Sequence, residues 1–99
     1  MIFAELNYKE HYDDFHQSLL EYVIANFDRV DSGHQGDSWI WIYEGENKVA
    51  LDTFSSMKHQ VKSETRKNPL VQKVIEILQR KYDIVVYSEP ESEAHEDWI

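Results

Sequence analysis

The most regular pattern of polar and apolar positions in the chain runs from Trp39 to Asp52. Two alternating runs flank a turn that holds Gly45 and Asn47, and this arrangement predicts a β-hairpin. With Gly45 and Glu46 as the central residues the turn would be type II′; a four-residue loop would keep the same two faces, whereas a three-residue loop would mix them. Because side chains alternate faces along a strand, one face of the hairpin is aliphatic and the other is aromatic. The expected cross-strand pairs are Ile42 with Val49, Ile40 with Leu51, Tyr43 with Lys48, Trp41 with Ala50, and Trp39 with Asp52.

Four further segments have the hydrophobic spacing or the residue types of regular elements. They are a strand over 2–6, a helix from Tyr8 to Phe27, a helix from Pro69 to Tyr82 and a strand from Asp83 to Tyr87. Asn7 and Asn68 are expected to cap the two helices. Residues 28–38 are interpreted as a polar loop, the second hairpin strand continues to Phe54, and 55–67 receives no assignment.

The order strand–helix–strand–strand–helix–strand resembles the ferredoxin-like split βαβ arrangement. This resemblance predicts an α+β fold: a βαββαβ domain over residues 1–87, with a four-stranded antiparallel sheet and both helices on one face. Its first and third strands would be central, and the strand from Trp39 to Tyr43 would lie at an edge. Residues 88–99 are acidic and contain a proline, so we expect a flexible C-terminal tail.

The composition argues against several classes of function. The 99 residues include no cysteine, which excludes disulfides, thiolate metal sites and cysteine nucleophiles. The net charge of −9 argues against binding to nucleic acids or anionic membranes. No apolar run approaches the ~20 residues that span a bilayer, and the first residues lack the pattern of a signal peptide. We therefore expect a cytoplasmic protein that uses no cofactor and no metal.

One segment departs from the acidic balance of the chain. Residues 53–82 carry 7 basic and 2 acidic side chains, whereas the segments on either side are acidic. Five of these residues precede the second predicted helix and are candidates for contacts with an anion near its N-terminus: Lys58, His59, Lys62, Arg66 and Lys67. The simpler interpretation is that they neutralise the neighbouring acidic segments.

Aromatic residues are the strongest indication of a binding surface. In the predicted sheet, six of them would share the face opposite the helices: Phe3, Trp39, Trp41, Tyr43, Phe54 and Tyr87. A contiguous exposed apolar patch usually marks an interaction surface, and tryptophan and tyrosine are enriched at interface hot spots. The alternatives are that these rings pack flat on the sheet, or that Trp98 and Ile99 of the tail cover them.

Polar candidates for a site are weaker. In the polar loop, His34 and Asp37 lie near two glycines and are candidates for a polar site. On the first helix, His11 and His16 are five residues apart, so their rings would lie on different faces, which argues against a metal site. Asp13 and His16 have the spacing of a pair on a solvated helix face.

Taken together, these features favour a non-enzymatic protein-interaction module that forms a homodimer through its aromatic sheet face and edge strand. The first alternative is a small acidic inhibitor or immunity-type protein that binds a basic partner, for which charge complementarity would give fast association. The second alternative is a small-ligand binder or enzyme that uses the 28–38 loop or the basic residues. Neither nucleic acid nor membrane is an expected partner.

Overall fold

The computed structural model describes residues 1–93 and shows an α+β fold with a six-stranded antiparallel sheet and two helices. The strands lie in the order β2-β3-β4-β5-β1-β6 across the sheet. The elements are β1 Ile2–Asn7, α1 Tyr12–Asn26, β2 Arg29–Gln35, β3 Asp37–Glu44, β4 Asn47–Asp52, β5 Gln60–Lys62, α2 Pro69–Gln79 and β6 Asp83–Glu91. In residues 1–93, neither helix is long and apolar enough to cross a membrane.

The hairpin of β3 and β4 confirms the predicted register at all five expected pairs. Gly45 has a φ of 60°, whereas no residue other than glycine has a positive φ in the described chain. A positive φ at the first turn residue alone is the signature of a type II′ turn, which requires glycine there. Local turn chemistry and side-chain alternation therefore determine this part of the fold.

The predicted four-stranded ferredoxin-like sheet is wrong, because two strands were not foreseen. Arg29–Gln35 was interpreted as a loop but pairs residue by residue with β3. Its side chains are mostly exposed on both faces, so it carries no alternation of polar and apolar residues for a pattern to reveal. The three-residue β5 lies between β4 and β1. The strand that contains Trp39 to Tyr43 is therefore internal, and the edges are β2 and β6.

The helix boundaries differ from the predicted ones at three of four ends. Asn7 belongs to β1, and its side chain bonds Asp83 at 2.9 Å instead of capping α1. His11 is the actual cap, and its side chain accepts a hydrogen bond from the backbone of Asp13. Asn68 caps α2 as predicted, since its Oδ1 accepts from the Leu70 backbone at 3.0 Å. The last strand continues to Glu91, beyond the predicted end at Tyr87.

The helices bury their apolar sides against one face of the sheet. Fully buried aliphatic residues of the sheet and of both helices form one core: Leu6, Leu19, Val23, Ile40, Ile42, Val49, Leu51, Val61, Val74 and Leu78. The hairpin residues in this set are those predicted for the aliphatic face. The opposite face, which we call the open face, is left to the aromatic and charged side chains.

Candidate functional site

Two tryptophans stand side by side on the open face. The ring centroids of Trp39 and Trp41 are 4.3 Å apart on β3. The ammonium group of Lys48, on the neighbouring strand, lies 3.8 Å from the centroid of Trp41. The Arg29 guanidinium lies 5.3 Å from the ring of Tyr43, one step further along β3. Cations over ring faces of this kind gain electrostatic attraction from the ring quadrupole.

Gly33 gives Trp39 its place on the sheet. The two residues are direct cross-strand partners on β2 and β3. A Cβ atom built at Gly33 would overlap the indole ring of Trp39, so the ring lies directly over the bare backbone of the glycine. The position of Trp39 beside Trp41 therefore depends on β2, which the sequence analysis did not predict, and on the glycine at position 33 of that strand.

A cleft of about 420 Å³ adjoins the aromatic pair on the open face. Trp41, Ala50 and Lys62 are cross-strand neighbours in one row of the sheet. Because Ala50 is small, the row has a gap between two long side chains, and this gap forms the floor of the cleft. Phe54 lines the cleft from beyond the end of β4 and is exposed. The volume falls within the range of ligand-binding clefts.

The floor of the cleft contains a buried lysine with two carboxylates. The Lys62 ammonium lies 2.6 Å from Asp52 Oδ1 and 2.8 Å from Glu93 Oε2, and its side chain is only 5% exposed. Lysine is rarely buried unless it is paired. Burial raises the pKa of the Asp52 carboxyl, and the hydrogen bond and charge of Lys62 oppose that rise only in part.

The side chains that line this cleft carry an excess of negative charge. Four of these side chains are acidic, Glu46, Asp52, Glu64 and Glu93, and three groups are cationic, Lys48, Lys62 and the α-ammonium group of Met1. Lys62 pairs with Asp52 and Glu93, and Lys48 lies over Trp41, so the carboxylates exceed the cations by one. The cleft thus combines aromatic walls with a small excess of carboxylates, which suits a cationic group.

A second polar cluster lies inside the protein, on the helix side of the sheet. The Tyr8 hydroxyl is 2.8 Å from His59 Nδ1, and His59 Nε2 is 2.6 Å from Ser38 Oγ. The same Oγ is 2.5 Å from Nδ1 of His16. Ser38 and His59 have no solvent exposure, and His16 has 6%. We call this chain of four side chains the buried relay.

Two opposite arrangements of protons satisfy the contacts of the buried relay. In the first, Tyr8 donates to His59 Nδ1, His59 Nε2–H donates to Ser38, and Ser38 donates to His16 Nδ1. In the second, donor and acceptor are exchanged in all three contacts, and the hydroxyl of the half-buried Tyr8 donates to solvent. In both arrangements His59 carries one ring proton and is neutral.

Burial shifts the pKa of each titratable group in the relay toward its neutral form. Desolvation, together with the nearby imidazoles of His16 and His34, lowers the pKa of His59 to about 3. Desolvation and the neighbouring His34 lower the pKa of His16. Desolvation also raises the pKa of Tyr8 to about 12. Each shift has burial as its largest cause, because a charge would lose its hydration here.

A serine between two imidazoles has the residue types of an activated nucleophile. Here no substrate atom can reach the serine, because Ser38 and its partner His59 are enclosed by the core. The relay instead joins α1, β3 and the segment before β5 through satisfied hydrogen bonds. The interpretation of His16 as part of a solvated pair is wrong, since its ring faces the sheet.

The sequence contained a signal for this cluster that we did not use. Ser38 precedes Ile40 and Ile42 at two-residue intervals, so all three side chains lie on the same face of β3. His16 lies on the same side of α1 as Leu19 and Val23. Both positions therefore face the core, where a polar side chain needs a partner. Ser38 and His16 are partners of each other, and the further partner of Ser38, His59, lies in the unassigned segment.

The polar residues proposed from the loop lie near the rim of the relay. His34 Nε2 is 2.6 Å from Asp13 Oδ1, and its ring stacks on His16 at a centroid distance of 4.6 Å. Asp37 begins β3 and is exposed, beyond the glycine turn at Gly36. The structure therefore pairs His34 with α1 and not with Asp37.

The five basic candidates do not converge at the start of α2. Lys58 donates to the backbone carbonyl of Tyr8 and lies over its ring, and His59 belongs to the relay. Lys62 is buried on the opposite face, and Arg66 bonds Glu89. Lys67 is exposed. Four of these side chains have separate local partners, so the five do not form a common anion site.

The other aromatic candidates spread along the sheet. Phe3 is half-buried and packs against the core, whereas Tyr87 is half-buried on β6. Only Phe54 joins Trp41 in the cleft. Trp98 and Ile99, considered as a cover for the aromatic face, lie outside the described residues. Among residues 1–93, no three histidine or carboxylate side chains are arranged to hold a metal ion.

Comparison of the chain with protein-family models, with curated proteins and with solved structures finds no match.

Proposed function

We propose that this protein is a non-enzymatic protein-interaction module whose open face binds a positively charged segment of a partner protein. The observation that carries the proposal is the acidic cleft beside the Trp39–Trp41 pair. Lys48 already places an ammonium group 3.8 Å from the centroid of Trp41, so this ring face accepts a cation. An arginine or lysine of the partner would use the same kind of contact within the cleft.

The charge of the whole chain supports the same partner. A net charge of −9 attracts a basic protein over distances beyond contact and raises the association rate at low salt. The aromatic rings would then supply the desolvated centre of the interface, where binding energy concentrates.

A fluorescence titration with a short arginine-rich peptide tests the proposal. Trp98 is changed to phenylalanine, so that Trp39 and Trp41 report the binding. We expect a saturable change in emission that weakens with added salt, and a much smaller change with a glutamate-rich peptide of equal length. Trp41→Leu should remove most of the affinity, since aromatic hot spots contribute about 2 kcal/mol or more.

A matched pair of variants separates site binding from general attraction. Glu64 lines the cleft and Glu21 lies on α1, and both are exposed. Glu64→Gln and Glu21→Gln change the net charge equally. We expect Glu64→Gln to weaken binding about threefold to tenfold and Glu21→Gln to have little effect. Equal effects of the two variants, or a titration that does not saturate, would overturn the proposal.

Self-association through the open face, favoured by the sequence, is a competing use of the same surface. Sedimentation equilibrium over a concentration series compares the wild type with Trp41→Glu. A dimer that Trp41→Glu breaks would mean that the face binds a second copy in place of a basic partner.

A further inference from the structure

The two edges of the sheet differ in their protection against pairing. The edge strand β2 presents mainly polar and charged side chains, with Arg29 and Asp31 among them. The other edge, β6, presents two exposed valines, Val85 at 55% and Val86 at 45%. Edge strands of monomeric proteins usually carry charges or prolines that block association. The middle of β6 has neither.

The side chains of the two valines point to opposite faces of the sheet. Val85 pairs with Glu5, whose side chain faces the open side, and Val86 pairs with Ala4, which faces the core. Val85 therefore points to the open face and Val86 to the helix side. Within residues 1–93, β6 pairs with β1 alone, so its outer backbone N–H and C=O groups face away from the sheet.

We propose that a second copy of this chain pairs antiparallel with β6, across a twofold axis that passes through Val85. This inference rests on a different surface from the proposed function and does not depend on it. The axis stands perpendicular to the sheet, so the two sheets become one continuous sheet with both open faces on the same side. The dimer would present two binding faces to a partner.

The register follows from the alternation of side chains between faces and from the regular part of β6. Opposed residues must share a face, so a twofold axis between identical antiparallel strands places one residue opposite itself. With Val85 at the centre, Ile84 lies opposite Val86, and Asp83 lies opposite Tyr87. The pairing of β6 with β1 is regular from Asp83 to Val86 and shifts between Val86 and Glu91. A centre at Val85 places the closest cross-strand pairs in the regular part, whereas a centre at Val86 would move them into the shifted part.

The residues that flank the strand are complementary in charge between two copies. Arg80 and Lys81 precede β6, whereas Glu89 and Glu91 lie in its last residues. Antiparallel pairing brings the basic start of one copy beside the acidic end of the other. Glu89 already contacts a cation of its own copy, Arg66, at an exposed site. Pro90 has no backbone N–H and would end the new pairing.

Cysteine cross-linking tests the register directly, because the chain has no cysteine of its own. In Val85→Cys, the two thiols of a dimer would lie opposite one another at a spacing that suits a disulfide. Ile24→Cys is the matched control, since Ile24 is 57% exposed but lies on α1. We expect Val85→Cys to form covalent dimers at least about tenfold faster than Ile24→Cys, and Val86→Cys to be slower than Val85→Cys.

Sedimentation equilibrium tests the interface without a cross-link. The wild type should dimerise, and Val85→Lys should shift the dissociation constant upward by about a hundredfold, since a central lysine blocks edge pairing. Val85 is exposed, so we expect the variant to fold, which circular dichroism will check. A monomeric wild type at all concentrations, or cross-linking of Val85→Cys no faster than of Ile24→Cys, would overturn the inference. Retention of the dimer in Val85→Lys and its loss in Trp41→Glu would place the interface on the open face instead.

Discussion

Ser38 Oγ and His59 Nε2 are 2.6 Å apart in the interior of the protein, where neither residue is exposed to solvent. Each of these two polar groups provides the other with a hydrogen-bond partner, and Ser38 is also the hydrogen-bond partner of His16. A buried polar network of this kind costs little when every member is paired and much when one member is lost. The relay is therefore a sensitive point of the fold.

Ser38→Ala tests the energetic role of the relay. The variant leaves His59 Nε2 and His16 Nδ1 without their common partner, and we expect a loss of about 2–4 kcal/mol in the free energy of unfolding. Urea denaturation followed by circular dichroism measures this loss. Ser18→Ala, at an exposed position on α1, should change stability by less than ~0.5 kcal/mol. A similar small effect of Ser38→Ala would contradict the network.

Acid should destabilise the protein through His59. The folded state holds the pKa of His59 at about 3, and its ordinary value is 6.5. The unfolded state therefore binds a proton as pH falls through 6.5 while the folded state does not, so stability decreases between pH 6.5 and 3. At pH 5 the loss from this group is about 2 kcal/mol relative to pH 7.5. The lowered pKa of His16 acts in the same direction.

Urea denaturation at a series of pH values measures that dependence. His59→Gln should be less stable at neutral pH but should show a shallower decline toward pH 5, because the variant has no imidazole to protonate at this position. An equally steep decline in His59→Gln would show that other groups cause the acid sensitivity.

Gly33→Ala should disturb the aromatic pair. The new methyl group would overlap the indole of Trp39, so the ring must move. We expect a loss of about 1–3 kcal/mol in stability, as for other overpacked sites, together with a change in near-ultraviolet circular dichroism from the displaced tryptophan. Ser32→Ala, at the preceding exposed position of β2, is the control and should leave both measurements nearly unchanged.

Lys62→Met should be strongly destabilising because it leaves the Asp52 carboxylate buried beside the cleft floor without its cation. Removal of one partner of a buried pair typically costs about 3–5 kcal/mol. The double variant Lys62→Met/Asp52→Asn removes one of the two stranded carboxylates and leaves Glu93, so it should recover part of the loss. Additive losses in a thermodynamic cycle of these variants would show that the two groups do not act as a pair.

The alternation of polar and apolar residues predicted several strands of the sheet but not the total number of strands. The hairpin pairing and the cap at Asn68 depend on residues close in sequence, and the structure confirms both. β2 has no alternation of polar and apolar residues because its side chains are exposed on both faces. Its pairing with β3 depends on backbone hydrogen bonds, which any residue except proline can form. No side-chain pattern could reveal that strand.

The candidate site was predicted in part. Trp39 and Trp41 were expected on the open face from strand parity, and they lie there as a contacting pair. The neighbouring cleft depends on Ala50 and Lys62 becoming cross-strand neighbours through β5, a strand of three residues that is too short to carry a pattern.

The sequence by itself determined the elements whose cause is local: the hairpin with its turn at Gly45, the two amphipathic helices and the sorting of side chains between faces. Only the tertiary structure decided which distant groups meet. It joined Ser38 to His59 and His16, buried Lys62 between two carboxylates, and left the valines of β6 at an edge. The physical reason is that periodicity assigns a side chain to a face, whereas its neighbours on that face depend on strand order, which long-range backbone pairing and core packing select together.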